Sequence, residues 1–129
     1  MKLDRAQMRS TRTTLLLWFG VGGGPAAWAL VHVMGYAFGI AQCDQPAGRW
    51  QLPVHAWDVA AAAVGLAIGA AAMGVSLWIY FATRGVDNAP PQGRVHFLSV
   101  VGLVVNFLAI TIIILDGVGT PLTGLCHQS

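Results

Sequence analysis

Charged residues fall in a few clusters along the chain, and long apolar stretches separate them. From Arg12 to Asp44 lie 31 consecutive residues without Asp, Glu, Lys or Arg; from Asp58 to Arg84 lie 25, and from Arg94 to Asp116 lie 21. A helix needs about 20 mostly apolar residues to cross a hydrocarbon core about 30 Å thick, at about 1.5 Å per residue. Each interval suffices for one crossing and none for two. The pattern predicts three transmembrane helices, over 14–40, 57–82 and 96–115. None carries the polar face of a helix buried in a water-soluble core. The expected fold class is all-α integral membrane, with 1–129 as a single membrane domain.

The first interval also follows basic residues, as a signal peptide does, but it is too long for an h-region of about 7–15 residues. Ile40-Ala41-Gln42-Cys43 looks like a lipoprotein cleavage box except that Gln42 stands where a small residue is required. Orientation follows from the bases. Lys2, Arg5, Arg9 and Arg12 precede the first span, and Arg84 and Arg94 lie between the second and third. The loop between the first two spans holds only Arg49, and the C-terminal tail holds no base. The positive-inside rule puts the N-terminus in the cytoplasm and the C-terminus outside. Trp50 and Trp57 at one end of the second span, with Trp78 and Tyr80 near the other, suit an interfacial aromatic belt.

Composition narrows the function classes. Of 129 residues 56% are hydrophobic and 9% charged, against about 25% charged in a soluble domain. Seven bases and five acids cannot clothe a soluble globule of this size, and a disordered chain needs the opposite balance. A net charge of +2, with scattered bases, offers no nucleic-acid footprint. Asn88-Ala89-Pro90-Pro91-Gln92-Gly93 is a turn signal before the third span, and Pro46 and Pro53 make the first loop irregular. Pro25 follows Gly22, Gly23 and Gly24 inside the first span. It removes a backbone donor and clashes with the preceding turn, so a kink or broken turn is expected, covered by protein that satisfies the freed carbonyls.

Few residues suggest chemistry. Cys43 and Cys126 fall on the same external side, where a disulfide is stable in an oxidising compartment. In the chain-entropy view such a closure is worth at most about 4–5 kcal/mol. Two free thiols, or a metal site completed by His55 or His127, are the alternatives. His32 lies within the first span, where an ionisable group is a functional candidate. Haem ligation would need a second His at equal depth. His96 sits at the opposite end, about 27 Å away along the helix axis, so the two cannot share one iron. A neutral His32 bonded to a neighbour, or a ligand in a larger complex, are the remaining readings. Asn106, in the middle of the third span, is expected to hold helices together by hydrogen bonding. Apart from Asp58 at the outer start of the second span, no Asp or Glu lies within a predicted span, which disfavours a stand-alone proton-coupled transporter. Asp58 and Asp116 are expected to mark solvated helix ends. From Ala60 to Gly74, eleven of fifteen residues are Ala or Gly. Gly65 with Gly69, and Gly35 with Gly39, form small-xxx-small pairs that allow close helix approach. Gly20-Val21-Gly22-Gly23-Gly24 lies in an apolar span with no strand before it, so it is no dinucleotide fingerprint. No catalytic constellation is visible, and no enzyme is expected.

The last third is the most distinctive. Gly93, Arg94 and Phe97 open a span, Gly102 follows, and Cys126 lies near the C-terminus. This resembles small bacterial transmembrane proteins encoded beside the subunits and assembly factors of haem-copper cytochrome c oxidases. The resemblance covers about the last 40 residues; the remainder matches only in hydropathy, and Gly-Gly-Gly-Pro with His32 has no counterpart in it. It implies a non-catalytic accessory subunit or assembly partner of a respiratory complex in the bacterial inner membrane. The expected partners are oxidase subunits and lipid. Haem and copper would belong to those subunits, with no cofactor in this chain. Two alternatives come from other classes: a small homo-oligomeric transport or channel protein lined by the first span, and an electron-transfer subunit with His32 as haem ligand.

Overall fold

The computed structural model describes residues 10–43, 53–85 and 90–119, the side chains of 41–43 and 54 excepted. Three helices make up the architecture: α1 (Thr11–Cys43), α2 (Val54–Thr83) and α3 (Gln92–Gly119). All three are long and apolar enough to cross a membrane, and the chain is a multi-pass membrane protein by that criterion.

Each helix extends beyond its predicted span. Charge-free intervals mark where a helix can lie in hydrocarbon, whereas the backbone ladder runs on into the interface until a cap stops it. Ser10 caps α1: its hydroxyl accepts from the Thr13 N–H at 3.3 Å, and its carbonyl accepts from the Thr14 N–H at 3.1 Å. Pro53 precedes α2, and its carbonyl receives the Ala56 N–H at 2.9 Å. Arg84 turns to an extended conformation after α2, and Gly85 follows at φ +79°, a left-handed angle that favours glycine after a helix. Pro91 stands just before α3, where its missing N–H costs nothing.

The helices run up, down and up. Gly20 meets Ser76, Gly23 meets Ala72 and Val31 meets Gly65, so α1 and α2 are antiparallel. Gly20 meets Gly102 and Gly24 meets Asn106, so α1 and α3 are parallel. The bundle thus has a His32 end, formed by the C-terminal half of α1, the start of α2 and the end of α3, and an opposite His96 end.

The buried positions are regularly spaced. Along α2 they include Gly65, Gly69, Ala72, Ser76, Ile79 and Thr83. Along α3 they are Gln92, Val95, Ser99, Gly102, Asn106, Ala109 and Ile113. Steps of three and four alternate throughout, the 3.5-residue repeat of a left-handed coil. On α1 the buried residues Gly20, Gly24 and Ala27 continue it. Most of this seam is small, so the backbones approach closely. A Cβ at Gly102 would stand 2.9 Å from the Gly20 carbonyl oxygen, and one at Gly23 would stand 2.9 Å from the Ala72 Cβ.

Two expectations need correction. The broken turn at Pro25 is absent: α1 continues through it. The adjacent turn is supported from α3 and α2, as a proline-bearing helix in a membrane requires. The Asn106 amide accepts from the Gly24 N–H at 3.0 Å and donates to the Gly20 carbonyl, which also accepts from the Ser76 hydroxyl at 2.9 Å. Gly35 and Gly39 make no close helix approach among the described residues, since a Cβ at either would meet nothing within 4 Å there. Among the described residues the close approaches lie at Gly20, Gly23, Gly24, Gly65, Gly69 and Gly102 instead.

Candidate functional site

Two polar groupings stand out among the described residues. The first is the node around Asn106, which is fully buried. Its amide offers an acceptor and a donor to the same pair, Gly24 N–H and Gly20 C=O, that a regular helix joins to each other. The sequence places Gly20 and Gly24 four residues apart so that no side chain blocks the approach. Both ends of the amide are engaged and the side chain is fully buried, so it presents no face to a ligand. The node ties α1 to α3 and, through Ser76, to α2.

The second grouping is a cleft of about 520 Å³ at the His32 end. Gly35, Ala61, Ala62 and Gly117 contribute small positions to its wall. His32 and Tyr36 come from α1, His55 and Asp58 from α2, and Asp116 from α3. Val31, Val59 and Leu115 supply apolar wall. His32 Nδ1 lies 3.6 Å from Asp116 Oδ2, within ion-pair range but too long for a hydrogen bond. The His32 side chain is 64% exposed, and its ring lies 5.8 Å from that of Trp28, one turn earlier. His55 and Asp58 are three residues apart on α2 and so share a face.

Asp58 and Asp116 therefore do more than end helices in solvent. Both are partly buried and line one cleft with His32 and His55. The sequence signal was present, since Asp58 opens one charge-free interval of 25 residues and Asp116 closes another of 21. Only the packing shows that the two face the same space. Among the described residues no group of three His, Cys, Asp or Glu converges on a metal-sized point.

His96 lies at the other end, stacked on Tyr80 with ring centroids 5.1 Å apart, and its Nδ1 is 3.0 Å from the Thr83 hydroxyl. His32 and His96 stand at opposite ends of the bundle and form no pair. Gly65 and Gly69 are buried, Gly65 against Val31 and Gly69 against Ile110. Cys43 contributes the last backbone turn of α1; its side chain and all of Cys126 lie outside the described residues. No known protein family, curated protein or solved structure matches the chain.

Proposed function

We propose that this protein is a non-catalytic subunit of a larger membrane assembly, and that α2 carries the docking face. The observation behind this reading is a second seam on α2. Ala56, Ala60, Ala63, Ala67, Ala70 and Gly74 are all exposed, and they repeat the alternating steps of four and three found on the buried side. Lipid tails make no demand for such a surface. A closely packed helix does, because small residues let backbones approach and gain dispersion contacts. On α1, Gly35 and Gly39 add small positions that no described residue packs against closely.

The finer reading rests on the sequence. The Gly93, Arg94, Phe97, Gly102 and Cys126 pattern points to a haem-copper cytochrome c oxidase as the partner, in a bacterial inner membrane. The distribution of bases puts the His96 end in the cytoplasm and the His32 end outside. There, a Cys43–Cys126 disulfide would tie the first loop to the C-terminal tail.

The test is purification of the tagged full chain from native membranes in mild detergent, followed by a native gel, mass spectrometry and an absorption spectrum of the band. A large haem-containing band with oxidase subunits is expected. Ala63→Leu with Ala67→Leu should release the chain from that band while leaving it helical. A small colourless band holding only this chain would sink the proposal and favour the homo-oligomeric transport reading.

A further inference from the structure

The wall of the cleft contains a contact whose strength depends on one proton. His32 on α1 and Asp116 on α3 both line the cleft, so their contact links two helices. His32 Nδ1 lies 3.6 Å from Asp116 Oδ2. At that distance a neutral imidazole makes no hydrogen bond, whereas an imidazolium is still attracted by the carboxylate charge. Both side chains are exposed in part, so the fold does not bury the pair away from protons. Histidine is the side chain that ordinarily gains charge between pH 8 and 5, and a carboxylate ordinarily stays ionised there. The Trp28 ring, 5.8 Å from the imidazole, is within the about 6 Å over which an aromatic ring attracts a cation.

The other titratable groups of the cleft are His55 and Asp58 from α2 and Tyr36 from α1, with no Lys or Arg among the described residues. A tyrosine is ordinarily neutral in this range, but His55 gains charge over the same interval as His32, so the two histidines must be told apart by experiment. The opposite end of the bundle is built differently. The Thr83 hydroxyl has one proton and donates it to the Ile79 carbonyl at 2.8 Å, since a carbonyl only accepts. It therefore accepts from His96 Nδ1, 3.0 Å away. That N–H persists when the ring gains its second proton, so the link between α2 and α3 there outlasts the titration. The Asn106 node holds no titratable group.

We infer that the His32–Asp116 contact is a proton-controlled clasp on the cleft. Protonation of His32 draws the C-terminal half of α1 toward the end of α3 and narrows the cleft; loss of the proton releases it. The Asn106 node and the His96 end stay fixed, and His32 stands eight residues beyond Gly24 of that node, about 12 Å along α1. There is room for the movement, because a Cβ at Gly35, less than one turn beyond His32, meets nothing within 4 Å among the described residues. The clasp responds to the pH of whichever compartment the His32 end faces, and it does not depend on what covers α2.

The test is a double-mutant cycle on the purified full chain in uncharged maltoside micelles, placing Asp116→Asn in the parent and in His32→Asn. Each substitution alone changes more than the pair, and the cycle isolates their coupling. Unfolding is followed by circular dichroism at pH 5 and pH 8. At pH 5 the two positions should be coupled by about two- to fivefold in the unfolding equilibrium constant, the range of a partly exposed ion pair. At pH 8 the coupling should vanish. His32→Lys, charged at both pH values, should couple to Asp116 at both, and His55→Asn should leave the pH 5 coupling in place. The movement is read from nitroxides at Val33→Cys and Val118→Cys, exposed positions on α1 and α3, with Cys43 and Cys126 replaced by serine. The labels should approach as the pH falls from 8 to 5, and Asp116→Asn should abolish the approach. Absent coupling at pH 5 in folded variants, equal coupling at both pH values with His32 in place, a pH response that follows His55 instead, or labels that do not approach would each overturn the inference.

Discussion

Asn106 shows how one polar residue can organise an apolar bundle. In hydrocarbon an amide without partners is costly, so its position is tolerated only where both ends are satisfied. Here the carbonyl end takes the Gly24 N–H and the amino end reaches the Gly20 carbonyl. Replacing it by leucine removes both bonds and presses a branched side chain against two glycines. Asn106→Leu should destabilise the bundle by about 1–3 kcal/mol, read as a lower unfolding midpoint in maltoside micelles. A midpoint unchanged from the parent would show that the node contributes nothing. That Asn106 needed a partner was readable in the sequence. That the partner is the backbone of the glycine turn beside Pro25 was not, because glycines carry no chemical label for what approaches them.

At the scale of the helix, α2 presents small residues on two faces, and the described residues cover only one. The distinction can be tested with single methyl groups. On α3, the Cβ of Gly102→Ala would stand 2.6 Å from the Ser76 hydroxyl and 2.9 Å from the Gly20 carbonyl oxygen. The backbone cannot yield easily, and overpacking of this kind costs about 1–3 kcal/mol. At Gly74 a Cβ meets nothing within 4 Å, so Gly74→Ala should leave the isolated bundle unchanged or slightly more stable, by up to about 1 kcal/mol. Thermal unfolding of the two variants side by side provides the comparison, and equal effects would remove the distinction between the faces. The alternation of threes and fours is visible in the sequence of α2 on both faces at once. Ala60, Ala63 and Ala67 are as small as Gly65, Gly69 and Ala72, so composition cannot say which set turns inward.

At the scale of the whole molecule, the bundle is tight through its middle and toward the His96 end, where Thr83 on α2 meets His96 on α3. It opens at the His32 end into the acidic cleft. The proposed orientation makes a prediction that is independent of any partner. After reduction, a membrane-impermeant thiol reagent added to spheroplasts should label both Cys43 and Cys126. Without reduction, labelling after denaturation should be absent if the two are joined. Labelling confined to inverted vesicles would reverse the orientation, and equal labelling with and without reductant would exclude the disulfide. The bases that support this orientation act during insertion, through the membrane rather than through contacts in the folded chain.

The sequence by itself determined the number of helices, their approximate extent and their need for a membrane. These follow from local quantities: the length of an apolar run against the thickness of a bilayer, and the cost of charge within it. It also marked His32, Asn106 and the glycines as unusual. The tertiary structure alone decided which glycines are contact points, since a Cβ at Gly102 would press on Gly20 while one at Gly35 or Gly39 would meet nothing within 4 Å among the described residues. It likewise turned two aspartates from helix ends into the walls of one cleft with His32 and His55. Those outcomes depend on the relative rotation of three helices. Rotation is set by all their small-residue seams together, and no single stretch of sequence contains that sum.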